Sequence, residues 1–130
     1  MIRVWLGTAA LLGFLSVLAG AVGAHLAAGE GAAELLRTAA VFGLPHAAAL
    51  VGIAALTQGR AGPGFPLTVA GSAFALGGLF FCLSLFAMGL TGIRAFGLAA
   101  PFGGVGLLIG WAALGAHALP FGLAKRHASR

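Results

Sequence analysis

The sequence has very few charged residues. Its 130 residues include 7 lysines and arginines and 2 acidic residues, so 7% of the chain is charged while 61% is hydrophobic. Soluble globular domains are about 25% charged, and a soluble chain of this length would need far more charged surface. The composition excludes an ordinary soluble domain. It predicts an all-α polytopic membrane protein, a bundle of transmembrane helices in the lipid bilayer.

Cysteine and carboxylates are also scarce, which excludes several kinds of chemistry. The single cysteine, Cys82, cannot form an intrachain disulfide and is too isolated for a thiolate metal site. The only carboxylates, Glu30 and Glu34, share one connecting segment, so no nucleophile–base–carboxylate set can be assembled and no proton relay crosses the membrane. We therefore expect no enzymatic activity, no catalytic residues, no cofactor and no metal.

The cationic residues form neither a basic stripe nor a nucleic-acid surface. The net charge is +5, but the cationic residues are scattered and only Lys125, Arg126 and Arg130 cluster, at the end of the sequence. Without an aromatic platform beside them, this distribution excludes nucleic-acid binding. A basic excess in a membrane protein more often sets its orientation and contacts anionic lipid head groups.

Charge-free runs predict four transmembrane helices in one domain, residues 1–130. Each run exceeds the roughly 20 residues that span a hydrocarbon core. Trimming by glycine, proline and polar flanks places the helices near 4–27, 39–57, 67–90 and 98–119, followed by a basic cytoplasmic tail, 120–130. The segment from Gly29 to Arg37 is expected to form a short interfacial helical turn, because Glu34 and Arg37 have helical ion-pair spacing. Residues 58–66 and 91–94 are expected to form a loop and a tight turn.

The first apolar run also has features of a cleaved signal peptide. Arg3 precedes the apolar stretch, and Val22-Gly23-Ala24 precedes His25 as a small-residue cleavage site would. We interpret this run as a retained first helix.

Small residues recur at four-residue spacing on three of the predicted helices. This spacing lets helix backbones approach closely, which favours association inside a membrane. It predicts packing within the bundle, or alternatively a face for a dimer or partner. The residues are Ser16, Gly20 and Ala24, then Gly71 and Ala75, then Gly106 and Gly110.

Two histidines are candidates for a site at the outer end of the bundle. His25 lies near the outer end of the first predicted helix, and His46 about two turns inside that end of the second. Their alternative roles are polar contacts between helices, a proton or ligand contact, or haem or metal ligation. The turn after the third helix and the start of the fourth should lie at the same end. The predicted outer-face cluster, which either ties helix ends together or contacts a small molecule, lipid head group or partner, comprises His25, His46, Arg94, Pro101, Gly103 and Gly104.

Four motifs, in this order and spacing, resemble a known family. They are residues 20–25 (Gly-Ala-Val-Gly-Ala-His), 45–50 (Pro-His-Ala-Ala-Ala-Leu), 81–86 with the turn 91–94, and 101–104 continuing to Gly110-Trp111. The sequence resembles the bacterial membrane family catalogued as domain of unknown function 423, related to eukaryotic transmembrane protein 256, over roughly residues 5–119. The resemblance implies four helices and a cell inner membrane location, and it implies no activity.

The third motif departs from the family pattern. The family usually reads Phe-Ser-Gly-Ser-Leu-Tyr, whereas here Cys82, Leu83 and Phe86 replace the first serine, the glycine and the tyrosine. Any polar function of this motif therefore depends on the serine that remains, Ser84.

The leading hypothesis for function is a membrane scaffold or accessory subunit that acts through helix contacts with other membrane subunits or with its own copies. It is motivated by the many glycines and the lack of catalytic groups. Two alternatives are an oligomeric transporter or channel for a small solute, and a haem-binding redox subunit that uses His25 and His46.

The first prediction concerns orientation. Arg3, Arg60 and the basic tail fall on one side of the predicted helices, whereas Arg37 and Arg94 fall on the other. The excess of cations on the first side places both termini in the cytoplasm. A reporter fused after Arg130 should therefore be active only if it is one that works in the cytoplasm. Activity of a periplasmic phosphatase fused at that position would contradict the helix number or the orientation.

Overall fold

The computed structural model describes residues 1–58 and 62–119. Within them, four long helices follow one another: α1 (Ile2–His25), α2 (Glu30–Thr57), α3 (Gly64–Thr91) and α4 (Ala100–Ala118), with a short 3₁₀ helix, Arg94–Ala99, leading into α4. Each is long and apolar enough to cross a membrane when the 3₁₀ helix is counted with α4. The predicted all-α bundle of four transmembrane helices is confirmed. Arg60 and the tail 120–130, on which part of the orientation prediction rests, lie outside the described residues.

The start of α2 differs from the sequence-based expectation. The helix begins at Glu30 rather than near 39, so the expected interfacial turn is the first part of α2 itself. Glutamate, alanine, leucine and arginine in residues 30–37 favour helix, and Glu30 stabilises the positive end of the helix dipole. At 28 residues, α2 is about 42 Å long, against about 30 Å of hydrocarbon. Since Glu30, Glu34 and Arg37 all lie in its first turns, we expect those turns to extend into the head-group layer.

Glycines in left-handed conformations end one helix and begin another. Gly92 has φ 71° at the end of α3, where its N–H donates to the Met88 carbonyl, and this is the conformation that terminates helices. Thr91 Oγ1 accepts a bond from the Ile93 N–H at 3.2 Å, which completes the predicted tight turn. Gly29, with φ 113°, precedes α2 and lets the chain reverse after α1.

The two middle helices are the most buried. α1 packs along α2, α2 along α3, and α3 along α4, with a smaller contact between α1 and α3. In that smaller contact the Trp5 ring lies over Gly71, where an added β-carbon would come within 2.5 Å of it. α1 and α4 therefore flank the bundle and present most of their apolar surface to lipid.

The α3–α4 contact brings two backbones together at glycines. A β-carbon added to Gly77 would lie 2.8 Å from the Leu107 backbone nitrogen and 2.9 Å from the Gly103 carbonyl oxygen. One added to Gly106 would lie 3.0 Å from the Gly77 α-carbon. Only glycine permits this approach, because a side chain at either face would push the helices apart.

One proline lies inside α2. Pro45 has no N–H, so it cannot donate to the Val41 carbonyl one turn earlier. Both residues are exposed on the outer side of α2. The backbone of α2 thus lacks one intrahelical hydrogen bond next to His46.

The glycine contact gives the second prediction. Gly77→Ala should destabilise the bundle by about 1–3 kcal/mol, because its β-carbon would meet backbone that cannot rotate away. Thermal unfolding in mild detergent, followed by circular dichroism, measures this as a lower midpoint. Gly115→Ala is the matched control, since nothing lies within 4 Å of an added β-carbon there. Equal midpoints for the two variants would contradict the close α3–α4 contact.

Candidate functional site

His46 is a buried polar side chain in the middle of the bundle. It is 6% exposed and lies about 24 Å along α2 from Glu30 at 1.5 Å per residue. Its Nδ1 is 2.6 Å from the Phe42 carbonyl oxygen, and its Nε2 is 3.0 Å from Trp111 Nε1. A carbonyl only accepts and an indole N–H only donates. The imidazole proton is therefore on Nδ1, and Nε2 accepts a bond from Trp111.

Aromatic rings surround the histidine on three helices. The Phe74 ring centroid lies 5.4 Å from that of His46 and 5.0 Å from that of Trp111, which it meets edge to face. Gly110 makes this possible, since a β-carbon there would overlap the Phe74 ring. Phe42 and Phe81 continue the aromatic surface with centroids 4.9 Å apart. The rings fix the orientation of the imidazole and the indole.

A groove with a volume of about 320 Å³ separates α2 from α4 beside this pair. Phe42, His46, Phe81, Gly104 and Trp111 line it, together with two leucines of α4. The Trp111 side chain is 48% exposed although its N–H is bonded. The His46–Trp111 bond therefore joins α2 and α4 across a groove whose walls are apolar. We call this the α2–α4 groove.

The other buried hydroxyls bond within their own helices. Ser16 donates to the Leu12 carbonyl at 2.7 Å and Thr57 to the Ala54 carbonyl at 2.8 Å. Ser84, the polar residue left in the third family motif, donates to the Phe80 carbonyl. Within the described part of the chain, no buried side-chain nitrogen or oxygen lacks a hydrogen-bond partner. These intrahelical bonds satisfy the buried O–H donors of the described helices.

The structure does not bring His25 and His46 together. Gly13 of α1 faces Ala47 of α2, and His25 lies about 18 Å further along α1 at 1.5 Å per residue. His25 is exposed at the end of its helix. Two ligands of one metal each lie about 2 Å from it, so this pair cannot share a metal or a haem iron. The reason for the difference is the early start of α2, which moves His46 from near the helix end to its middle.

Of the other members of the predicted cluster, Gly104 shares a cavity with His46, whereas Gly103, Arg94 and Pro101 lie elsewhere around the start of α4. Gly104 lines the α2–α4 groove with His46. Gly103 faces α3, where an added β-carbon would overlap the Phe81 backbone. Arg94 is exposed at the start of the 3₁₀ helix, and Pro101 lies in the first turn of α4. The six residues therefore do not form one cluster.

Most of the predicted packing residues occupy helix–helix contacts. Ser16 fills the space where a side chain at Gly43 would stand, and Gly20 faces Ala40 at 3.7 Å from an added β-carbon. Ala75 is buried in the core. Gly71, Gly106 and Gly110 lie in the contacts described above, whereas Ala24 is exposed.

Glu34 and Arg37, whose spacing indicated a helical turn, form an ion pair. Arg37 Nη2 lies 2.6 Å from Glu34 Oε2, with both side chains mostly exposed at the start of α2. Arg94 lines a cavity with Ala32 and Thr91, which places it at the same end of the bundle as Arg37. Arg3 lies at the opposite end, near the start of α1.

Sequence reasoning missed Trp111 and Phe74 as partners of His46. No spacing signal could link them, since the residues are far apart in sequence and meet only through tertiary packing. The Gly77-Gly78 pair was also missed, although two consecutive glycines inside an apolar helix are a usable signal for close helix approach.

Comparison with known proteins identifies relatives whose names state a membrane location and no activity. The chain is 37% identical over 108 residues to the UPF0382 inner membrane protein YgdD of Escherichia coli strain K12, covering 80% of each chain. The same identity and coverage apply to the proteins of that name from Escherichia coli O157:H7 and Shigella flexneri. No solved structure matches. The family profile described as "Protein of unknown function (DUF423)" matches residues 19–104, which include α2, α3 and the start of α4, and the chain belongs to this family of inner membrane proteins.

Proposed function

We propose that the protein is a non-enzymatic accessory or scaffold subunit of an inner-membrane complex, and that the α2–α4 groove receives a transmembrane helix of a partner chain. The observation that carries this proposal is the groove itself. Its apolar walls, its glycine at position 104 and its half-exposed tryptophan form a surface suited to helix packing.

The position of α4 supports the proposal. α4 packs closely along α3, whereas α2 reaches it mainly through the side chains beside the groove. Leu108, on the groove side of α4, is 70% exposed. A partner helix would therefore give α4 a second packing neighbour and cover Trp111.

The interior polar groups support a role in assembly over transport of a polar solute. His46 already uses both ring nitrogens within the bundle, and Ser16, Thr57 and Ser84 already use their O–H donors there. The relatives are named only as inner membrane proteins, so the accessory role rests on the geometry of this chain.

We also propose that both termini face the cytoplasm. Four crossings return the chain to its starting side, and Arg37 and Arg94 both lie at the end of the bundle opposite Arg3. The excess of cations on the first side supports this orientation.

Filling the groove gives the third prediction. An added β-carbon at Gly104 would lie 3.8 Å from the Phe81 ring, in ordinary contact, so Gly104→Leu should fold and occupy the groove with its side chain. After purification in mild detergent at native expression, we expect wild-type protein to retain partner chains in fixed ratio and Gly104→Leu to lose them.

Gly115→Leu is the matched control on the same helix, because position 115 is open and lies outside the groove. It should retain the partners, and both variants should unfold near the wild-type temperature. Equal partner recovery with Gly104→Leu and wild type would overturn the groove as the docking surface. Free monomer of the wild type in several mild detergents would overturn the accessory role.

The fourth prediction distinguishes the effect of the Trp111–His46 hydrogen bond on stability from the effect of the Trp111 ring on partner binding. Trp111→Phe keeps an aromatic ring at the groove but removes the N–H, which leaves Nε2 of His46 without a donor. We expect it to lower stability by about 1 kcal/mol and to retain partner chains, whereas Trp111→Ala should lose them. Thermal unfolding and co-purification measure the two effects. Loss of the partner with Trp111→Phe at unchanged stability would show that the indole N–H binds the partner instead.

A further inference from the structure

Both carboxylates of the chain line one cavity together with a cation. Glu30, Glu34 and Arg37 lie on the first two turns of α2 around a cavity of about 340 Å³, whose other wall is the last part of α1. In a chain with 2 acidic residues and 7 lysines and arginines, this is a strong concentration of charge. It lies away from the α2–α4 groove and shares no residue with it.

The cavity exists because small residues form its α1 wall. Gly20, Gly23 and Ala24 contribute no long side chains to the space. Gly23 also approaches α2 closely, with an added β-carbon 3.1 Å from the Leu36 β-carbon and 3.3 Å from the Ala33 carbonyl oxygen. The helices are therefore held together at Gly23, while the space beside Gly20 and Ala24 stays open.

The cavity lies at the level of lipid head groups. α2 exceeds the hydrocarbon thickness, and α1 ends at His25 beside the same turns. The ion-paired side chains of Arg37 and Glu34 remain 72% and 61% exposed. A head group in the adjacent layer can therefore reach all three charges.

The charges are only partly satisfied inside the protein. Arg37 uses one guanidinium nitrogen for Glu34, and a guanidinium carries five N–H donors. Glu30 has no ion-pair partner among residues 1–58 and 62–119. Helical side chains lean toward the N-terminus, so the Arg37 guanidinium reaches back to Glu34, one turn from Glu30. The site thus offers an unpaired carboxylate and free guanidinium donors on one cavity wall, from residues about 10 Å apart along α2.

We infer that this cavity binds the head group of a phospholipid that carries a primary ammonium and a phosphate. Glu30, with Glu34 beside it, accepts the ammonium N–H groups, while the free Arg37 donors bind the phosphate. A quaternary ammonium has no N–H to donate, and a glycerol head group has no cation. The site should therefore prefer phosphatidylethanolamine to phosphatidylcholine and to phosphatidylglycerol.

The test is lipid binding by the full-length purified protein. Delipidated protein in a non-ionic detergent is incubated with equimolar phosphatidylethanolamine, phosphatidylcholine and phosphatidylglycerol, and bound lipids are counted by native mass spectrometry. We expect about twofold to fivefold more phosphatidylethanolamine than either other lipid, the range of one exposed ion pair. Equal retention of the three lipids, or preference for phosphatidylglycerol, overturns the inference.

Substitutions test which side chain binds the ammonium of the head group and which binds its phosphate. Glu30→Gln should abolish the preference over phosphatidylcholine, and Arg37→Gln should lower retention of every phospholipid. Arg94→Gln, at the same end of the bundle but outside this cavity, is the matched control and should behave as wild type. An unchanged preference in Glu30→Gln overturns the assignment.

Two further measurements distinguish a lipid in the cavity from a lipid bound elsewhere and from a soluble ligand. Ala24→Leu adds bulk at an exposed cavity position without changing charge, and it should abolish the preference while the unfolding temperature stays near that of the wild type. Soluble phosphoethanolamine at the lipid concentration should not displace the lipid. If it does, the ligand is the soluble compound and the lipid site is overturned. Partner recovery in the groove experiment does not depend on any of these outcomes.

Discussion

The backbones of α3 and α4 meet where Gly77 faces Gly103 and Gly106, and the position of α4 depends on this contact. In hydrocarbon there is no hydrophobic force between helices, so association relies on close van der Waals packing. The glycine contact places Gly110 over the Phe74 ring and brings Trp111 within reach of His46. The groove beside α2 is thus a consequence of how closely α3 holds α4.

Hydrogen bonding imposes a second constraint on the same interior. A polar group in hydrocarbon costs several kcal/mol unless it is bonded, and the buried hydroxyls of Ser16, Thr57 and Ser84 meet this requirement through carbonyls of their own helices. The His46–Trp111 bond differs because it crosses between helices. It therefore contributes to the relative position of α2 and α4, whereas the hydroxyl hydrogen bonds stay within single helices and do not link two of them.

The number and type of the helices could be predicted from sequence, because long charge-free runs have one stable form in a bilayer. The start of α2 could not be predicted in the same way. The charged residues in 30–37 indicated a connection between helices, but this segment has high helix propensity and is the first part of α2. That error moved His46 to the wrong depth and produced a cluster with His25 that the fold does not form. Glycine spacing located contacts at Gly71, Gly106 and Gly110 but could not name the rings they accommodate. Phe74 and Trp111 join His46 only through tertiary packing.

The order in which helices contact one another has a consequence for biogenesis. The most extensive contacts are between helices adjacent in sequence, α1 with α2 and α3 with α4. The chain therefore consists of two helical hairpins, and each can pair as soon as its second helix has entered the bilayer. Contacts between sequence neighbours need little loop closure and form quickly. The contacts that then remain to form are those between the hairpins, chiefly of α2 with α3 and to a smaller extent of α1 with α3.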